Sequence, residues 1–494
     1  MRKFSALELL HPDGSVSTSW VVGNKCPEGL LPQAPIEPVA RVDLFILAPS
    51  AEECSSAGWL ERVVESLSQR LSDDGLGYVL APFRWRHKII SLLRRAGLEI
   101  GPSFWHFPDW ASSHYLVPLQ RGPAQFAVES IIPAPSWKRT LARQMLRHSG
   151  TRRFLSIFWH SAGISVRRPG ARTLFHWLFQ RTRTEFSSET AIVRRSWRAP
   201  RGANLLYCFT DGGLRPSALT KITFVENFSA YPDQEADALE NLGPGARSAG
   251  AQIPRVLRQE QNGPYSCLSL SFLPGQPASD LLDTNPDLLA PILTKIVHWL
   301  EQWYLGTGVI RRLEKEQLEQ ALLAPLELLA AHLQNAEEYR DWLVDRIRST
   351  LGTPMPFAAA HNDLTMANIL LDEQERLGVV DWETALARSW PLVDFYYTVT
   401  DAVRIAQKRN SWPEAFEACY QPGGLYTPQV AGWEEQLRLA TELPPALAEI
   451  CFHACWLHHA SNEHRVSQPG APRPFLQIVQ WLALHYEKAS ENRN

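Results

Sequence analysis

The first third of the chain alternates short apolar runs with longer segments of helical periodicity. Residues 41–50 are almost continuously apolar up to Pro49, which predicts a buried strand. Apolar residues at helical spacing follow over 59–71, and the turn-forming residues 72–75 come next. Beyond them the pattern predicts a strand at 77–82, a helix at 84–96 that stops at Gly97, and strands at 101–107 and 114–119. This order predicts a small α/β layered unit.

The pattern changes at about residue 191. Strand-like segments with glycines come first, and helical periodicity dominates after Pro277. The predicted helices cover 287–304, 313–335, 339–351, 391–408 and 445–460. We therefore expect a small β-rich lobe followed by a larger helical lobe in 191–494.

The composition is that of an ordinary globular protein. The 494 residues suffice for two or three domains, with 45% hydrophobic and 20% charged residues. The seven cysteines form no CxxC pair and no metal-ligand spacing, which favours a reduced, cytoplasmic setting. The N-terminus lacks a signal-peptide pattern, and no apolar run has the length of a membrane span. We expect a soluble protein, or at most a peripheral one.

The charge is distributed unevenly behind a formal net charge of −3. Residues 136–201 hold fifteen Lys and Arg against only two acidic residues, and 136–148 has the pattern of an amphipathic helix. Contact with a membrane surface or a polyanion through 136–201 is one interpretation. The other, which we favour, is a linker whose arginines pair with two acidic domains. No recognition motif accompanies the charge, so we expect no specific nucleic-acid binding.

The segment 358–385, AAAHNDLTMANILLDEQERLGVVDWETA, contains the residue types that phosphoryl transfer requires. This reaction needs a carboxylate that orients the attacking hydroxyl and oxygen ligands for Mg²⁺ on the phosphates. Asp363 and Asn368 lie on one predicted loop, and a hairpin of 369–371 with 378–380 follows and ends at Asp381. Closing the hairpin would make Asn368 and Asp381 neighbours across the ladder, with Asp363 close by. Such oxygen ligands suit Mg²⁺.

HNDLTMAN followed by VVDWE resembles the motif of the aminoglycoside phosphotransferase and choline kinase family, and the resemblance extends from about residue 191 to about residue 486. It implies a bilobal protein kinase-like fold in which Asp363 is the catalytic base and Asn368 and Asp381 bind the metal. His361 would support the loop. Asn362 stands where the family usually has glycine, and the tryptophan after Asp381 points to the small-molecule branch rather than to protein kinases.

The same resemblance places a nucleotide, ATP or GTP, against upstream residues. Lys221, on a predicted strand at 217–227, would contact the α- and β-phosphates. Glu235, near the start of a helical pattern, is our choice for the ion-pair partner of Lys221, and Glu240 is the alternate.

Further nucleotide contacts follow from the order of the elements. Gly202 and Asn204 would form the turn of a phosphate-covering hairpin at 199–209. Ser271 and Leu273, at the end of a strand before a Pro-Gly pair, would offer backbone groups to the adenine edge. Asp394 matches a family position after the metal hairpin, and we expect a structural role for it.

Residues 41–119 are weakly similar to the second half of a class I methyltransferase that uses S-adenosylmethionine. The glycine-rich turn and the acidic residue that would hold this cofactor are not found upstream of Arg41. We therefore favour an inactive remnant or a docking platform over an active methyltransferase. The expected domains are an incomplete Rossmann-like α/β unit at 1–120, a basic aromatic-rich linker at 121–190 and a phosphotransferase-like kinase domain at 191–494.

Together these patterns predict a phosphotransferase that moves the γ-phosphoryl group to a hydroxyl of a small molecule, sugar or glycan, with Mg²⁺ as cofactor. Two alternatives stay open. One is a catalytically inactive scaffold that binds nucleotide. The other is a bifunctional methyltransferase–kinase of envelope polysaccharide synthesis.

Overall fold

The chain forms two compact units in a computed structural model. One consists of Met1–Pro232 with Val256–Phe272, and the other of Asp233–Arg255 with Leu273–Asn494. These boundaries differ from the expected 1–120, 121–190 and 191–494, which stay a prediction as functional domains. The predicted amphipathic helix at 136–148 lies outside the described residues. The structure describes residues 7, 10–11, 16–23, 41–107, 113–131, 162–179, 186–195, 203–224, 230–262, 265–408, 411–467 and 470–491.

The first unit is built on a sheet of eleven strands in the order β1-β2-β3-β6-β4-β5-β7-β8-β9-β11-β10. β1, β2 and β3 are parallel to one another, and the other pairings are antiparallel. The strands are β1 Ser19–Val22, β2 Val42–Leu47, β3 Leu71–Val79, β4 Glu99–Phe107, β5 Tyr115–Pro118, β6 Ala162–Arg167, β7 Phe186–Arg194, β8 Asn204–Thr210, β9 Ala218–Phe224, β10 Val256–Asn262 and β11 Tyr265–Ser271.

Both faces of β2 are covered, which explains its nearly continuous apolar sequence. Phe45 and Leu47 pack against helices on one face, while Leu44 and Ile46 belong to a second cluster on the other. The helices of this unit are α1 Ala51–Ser55, α2 Trp59–Arg70, α3 Arg86–Arg95, α4 Arg121–Phe126 and α5 His176–Phe179. The order of strands and helices at 41–119 is confirmed, including the stop at Gly97, whose φ is 77°.

The turn expected at 72–75 is wrong. α2 ends at Arg70 and β3 begins at Leu71, so residues 72–75 form an irregular stretch inside the strand. Val42 pairs with Leu71 and Leu44 with Leu76, so the extra residues of β3 are accommodated as a bulge. Turn-forming side chains are satisfied there by tertiary contacts, because the Asp74 carboxylate accepts the Arg172 backbone N–H at 2.9 Å.

The second unit is mainly helical. It has two three-stranded sheets, ordered β12-β15-β16 and β13-β14-β17. The strands are β12 Gln276–Pro277, β13 Val309–Arg312, β14 Pro354–Ala360, β15 Ile369–Leu371, β16 Leu377–Val379 and β17 Leu386–Ser389. The remaining helices are α6 Ala230–Asn241, α7 Gly243–Ser248, α8 Ala278–Thr284, α9 Leu289–Thr307, α10 Lys315–Leu318, α11 Ala324–Leu329, α12 Ala336–Thr350, α13 Val393–Ala406, α14 Trp412–Tyr420, α15 Thr427–Ala440, α16 Pro445–Val466 and α17 Pro474–Glu491.

Four of the five helices predicted after Pro277 are confirmed as α9, α12, α13 and α16. The helix expected at 313–335 is confirmed as one continuous helical segment over 315–332, in which α10 passes without interruption into a π-turn Glu319–Leu323, α11 and a 3₁₀ turn Ala330–His332. Pro325 lacks the N–H of a regular α-helical hydrogen bond, and the π-turn stands directly before α11, whose second residue is Pro325. The helices α8, α14, α15 and α17 were not predicted from the sequence. Among the described residues, no helix combines the length and apolarity that crossing a membrane requires.

Candidate active site

The loop before the hairpin is fixed by one buried carboxylate. Asp394, at the start of α13, accepts the backbone N–H of His361 at 2.7 Å and that of Asn362 at 2.8 Å. Asn362 has a left-handed backbone with φ of 61°, a conformation that asparagine tolerates better than most residues. This conformation explains why a glycine or an asparagine suits the position. The structural role expected for Asp394 is confirmed.

Two further side chains of α13 bind the same loop. The Thr398 hydroxyl donates to the Leu364 carbonyl at 2.6 Å, and the Asp401 carboxylate accepts the Met366 N–H at 2.8 Å. With Asp394 they are spaced i, i+4 and i+7, which places all three on one face of the helix. Thr398 and Asp401 were missed from the sequence. Their only signal was this polar spacing inside an otherwise apolar helix.

Asp363 lies at the centre of the loop, next to Asn368. The Asn368 amide donates to the Asp363 backbone carbonyl at 2.9 Å and to its carboxylate at 3.2 Å. Burial, followed by the nearby Asp381 and Glu383 carboxylates, raises the pKa of Asp363 to about 7, against the weaker opposing effect of the Asn368 hydrogen bond. A carboxyl group with this pKa is able to take up or release a proton near neutrality.

The predicted hairpin is confirmed with a shift of one residue. Ile369 pairs with Val379 and Leu371 with Leu377, and the Val380 N–H donates to the Asn368 carbonyl at 3.0 Å. Asn368 therefore stands opposite Val380, and not opposite Asp381 as expected. The shift arises because Leu377, expected in the turn, is buried and belongs to the return strand. Asp381 follows the ladder with φ of 69°, where the chain turns away.

Three carboxylates gather after the hairpin. Oxygen atoms of Glu235, Asp381 and Glu383 lie within 4.8 Å of one another, an arrangement that suits a divalent cation. Glu235 comes from α6 and is almost fully buried, and its Oε1 accepts the Trp382 N–H at 3.3 Å. Glu383 was missed from the sequence, although its place two residues after Asp381 was the available signal. Glu240, the alternate to Glu235, is exposed.

His361 of the loop contacts Val380 and Trp382 at the end of the hairpin. Nε2 of His361 lies 3.1 Å from the Val380 carbonyl, and the two rings meet edge to face at 5.1 Å. Trp382 is completely buried and also contacts Trp303 of α9, with ring centroids 5.6 Å apart. The supporting role expected of His361 agrees with these contacts.

The predicted nucleotide contacts are distributed over both units. Lys221 is half-buried on β9, where it pairs with Leu205 and Leu268, within the first unit. Glu235 belongs to the second unit, so the ion pair between them stays a prediction. Asn204 is not in a turn as expected: it is the first residue of β8 and is buried opposite Ile222.

The other predicted contacts lie at the ends of elements. Ser271 is the last residue of β11 and pairs with Ala218. Leu273 is the first residue of the segment Leu273–Asn494 of the second unit. Gly202 lies outside the described residues. The roles proposed for these residues toward adenine and phosphates stay predictions.

Comparison with a family model indicates the class of enzyme. Residues 223–435, less than half of the chain, match the model of the phosphotransferase enzyme family. No curated protein matches the chain. The family match indicates that the protein is a phosphotransferase, that is, a kinase, which confirms the enzyme class expected from the sequence.

Several solved structures are similar to this chain at low scores. The apo form of a thermostable mutant of aminoglycoside phosphotransferase APH(4)-Ia has 12% identity and a TM-score of 0.36, covering 64% of this chain and 96% of that one. An aminoglycoside phosphotransferase from Alicyclobacillus acidocaldarius has 14% identity and a TM-score of 0.34, covering 60% and 90%. APH(3'')-Id from Streptomyces rimosus has 14% identity and a TM-score of 0.32, covering 51% and 88%. TM-scores below 0.5 establish neither a shared fold nor a shared substrate.

Proposed function

We propose that this protein transfers the γ-phosphoryl group of ATP or GTP to a hydroxyl of a small molecule, sugar or glycan, with Asp363 as the catalytic residue. One observation carries the proposal. Asp363 is held by Asn368 on a loop that three side chains of α13 fix, and the Asp381 and Glu383 carboxylates lie near enough to raise its pKa. A bilobal protein kinase-like fold of residues 191–494 belongs to this proposal.

Asp363 acts on the acceptor in this mechanism. Its carboxylate accepts a hydrogen bond from the attacking hydroxyl and aligns the oxygen with the γ-phosphorus. As the new P–O bond forms, the bond from the γ-phosphorus to the β–γ bridging oxygen breaks, ADP or GDP leaves, and Asp363 takes up the hydroxyl proton. The Asn368 amide keeps the carboxylate in place through its hydrogen bond. Burial is the largest cause that raises the pKa of Asp363 above its ordinary value, and it makes this carboxylate a better proton acceptor than an exposed aspartate.

Asn368 and Asp381 are the proposed ligands of Mg²⁺, and Glu383 and Glu235 add carboxylate oxygens beside Asp381. The residue types fit, because Mg²⁺ binds through oxygen atoms and takes one or two carboxylates together with phosphate oxygens and water. Bound Mg²⁺ would neutralise charge on the phosphates. Lys221 is proposed to contact the α- and β-phosphates, with Gly202, Asn204, Ser271 and Leu273 as further nucleotide contacts.

The N-terminal region is proposed to be a docking platform or an inactive, methyltransferase-like remnant. Parallel β1–β3 with α2 and α3 support a Rossmann-like origin, whereas β6 is inserted antiparallel between β3 and β4. Isothermal titration with S-adenosylmethionine tests this part. Saturable binding would favour the bifunctional alternative. Contact of 136–201 with a membrane or polyanion, and a cytoplasmic location, stay predictions.

Asp363→Asn tests the catalytic proposal. We expect the variant to bind Mg·ATP as the wild type does, read as an increase in melting temperature, and to lose transfer by roughly 10²-fold or more, measured as ADP release with a panel of alcohols and sugars. Asp341→Asn is the matched control, because Asp341 is exposed on α12. Full activity in Asp363→Asn would contradict the proposal. Mg·ATP binding without ADP release in the wild type would indicate a scaffold instead.

A further inference from the structure

A cavity of about 440 Å³ opens beside the Asp363 loop, entirely within the second unit. Asn362, the residue before Asp363, and Asp394 form one side of it. Tyr397 lies near both Asp363 and the cavity. Burial, and then the Asp363 carboxylate, raise the pKa of Tyr397, and its ring stacks at 3.9 Å on His459, which also lines the cavity. The volume suits a compound of one or two rings.

Asp394 is the only carboxylate among the described residues that line this cavity. Each of its oxygens already accepts a backbone N–H, from His361 and from Asn362. It is also fully buried, and burial outweighs these hydrogen bonds and raises its pKa to about 6. Asp394 is therefore committed to the loop and is poorly suited to pair with an ammonium group of a ligand.

Among the described residues that line the cavity, Arg388 on β17 is the one permanently charged cation. Its side chain is exposed, and within the described part of the chain it makes no ion pair and no hydrogen bond. Its guanidinium is thus available to a ligand, and guanidinium groups bind carboxylates and phosphates through two parallel hydrogen bonds. His458 and His459 also line the cavity, and burial lowers the pKa of both, so they are uncharged at neutral pH.

An apolar wall completes the site. Trp390 and Phe357 line the cavity with ring centroids 5.5 Å apart, in an edge-to-face contact. Their surfaces offer a flat apolar contact for the carbon face of a ring. The cavity therefore combines an aromatic wall with an unpaired arginine.

We propose that this cavity binds the phosphoryl acceptor and that the acceptor is an anionic hydroxyl compound, a sugar or polyol with a carboxylate or a phosphate that pairs with Arg388. The inference rests on the proposed function and narrows its substrate class. A polycationic aminosugar is disfavoured, because it would place ammonium groups beside Arg388 in a cavity where Asp394, the one carboxylate among the described lining residues, is already bound to the loop.

Binding of four related sugars to the full chain tests the charge preference without requiring turnover. The probes are glucose, glucosamine, glucuronate and glucose 6-phosphate, titrated by ligand-observed NMR without nucleotide. We expect glucuronate or glucose 6-phosphate to bind roughly tenfold tighter than glucose, the effect of one charge-assisted contact, and glucosamine to bind most weakly. Comparison of the two anionic probes distinguishes a carboxylate from a phosphate. Added salt should reduce the preference.

Arg388→Gln should abolish the preference for the anionic probes over glucose. Arg311→Gln is the matched control, since Arg311 is also exposed, on β13 of the same small sheet, but does not line the cavity. The inference is overturned if glucosamine or glucose binds as tightly as both anionic probes, or if Arg388→Gln keeps the preference. If the wild type releases no ADP with any acceptor, the proposed transfer is refuted. The relative affinities of the four sugars still decide which charge the cavity prefers.

Discussion

At the scale of single residues, the chemistry depends on a carboxylate in an unfavourable environment. Burial of Asp363 opposes its ionisation, and so do the nearby Asp381 and Glu383 charges. The hydrogen bond from Asn368 favours the ionised form. The features that make Asp363 a good proton acceptor therefore lower the stability of the folded chain. A site of this kind trades stability for activity.

This trade-off predicts a pH-dependent stabilisation by Asp363→Asn. The pKa of Asp363 is about 7 in the folded chain, against an ordinary 3.8. Between these values the folded chain holds a proton that the unfolded chain has lost, so wild-type stability falls as the pH rises through about 7. The neutral amide avoids this loss. We expect the variant to melt above the wild type at pH 8, with a smaller difference at pH 5, in thermal scans with a chelator present.

Asp341→Asn again serves as control and should show no such change between the two pH values. A variant that melts below the wild type at pH 8 would show that the carboxylate stabilises the fold, contrary to the prediction.

The identity of the site residues was easier to predict from the sequence than the residues that they contact. Asp363, Asn368 and Asp381 were identified because their spacing is local, within one loop and one hairpin. Glu235 was predicted from its place in a helix, but its position beside Asp381 depends on contact between segments about 150 residues apart. Periodicity contains no information about such contacts.

At the scale of elements, α13 positions the catalytic loop. Its buried face supplies Asp394, Thr398 and Asp401, which bind backbone groups of residues 361–366. The helix offers a matched pair for testing this role. Thr398 and Thr400 are both completely buried, but Thr400 donates to Tyr396 of its own helix at 2.8 Å, whereas Thr398 donates to the loop.

Substitution to valine keeps the shape of both side chains and removes the hydroxyl. We expect each variant to lose about 1 kcal/mol of unfolding free energy, the usual contribution of one hydrogen bond. Only Thr398→Val should also lower kcat, by roughly tenfold, because it loosens the loop that holds Asp363. Urea unfolding and ADP release measure the two effects. Equal kcat values in the two variants would show that α13 does not position the loop through Thr398.

Local pattern predicted the hairpin and most helices because each of these is specified by residues near in sequence. It failed at β3, where the turn-forming residues 72–75 lie inside a strand. There Asp74 and Ser72 bind distant groups, the Arg172 N–H and the Asp43 carboxylate, and these tertiary contacts replace the expected turn. The polar side chains that favour turns form their hydrogen bonds equally well in a local turn or with distant groups inside a strand.

At the scale of the whole molecule, the N-terminal region shares a sheet and a core with the strands that the sequence assigned to the kinase domain. Tyr115 of β5 pairs with Arg194 of β7, and Leu116 pairs with Val193. One apolar cluster contains N-terminal residues together with residues of β7, β8, β9 and β11. Its members include Leu44, Leu76, Phe104, Leu116, Ala191, Leu206, Ile222 and Cys267. The sequence did not predict this shared sheet, because the paired residues of β5 and β7 are about 80 positions apart.

The shared core predicts that 186–494 does not fold alone. Without 1–185, β7 would expose an unpaired edge, and the remaining strands would lose one apolar face to solvent, a combination that leads to aggregation. We expect this fragment to be insoluble when expressed by itself and to become soluble when 1–185 is expressed with it, because the missing strands and apolar face are then supplied in trans. Size-exclusion chromatography measures both outcomes. A monomeric 186–494 that melts cooperatively would instead show that the kinase strands have a sufficient core of their own, and the N-terminal region would then be an addition to the kinase and not part of its fold.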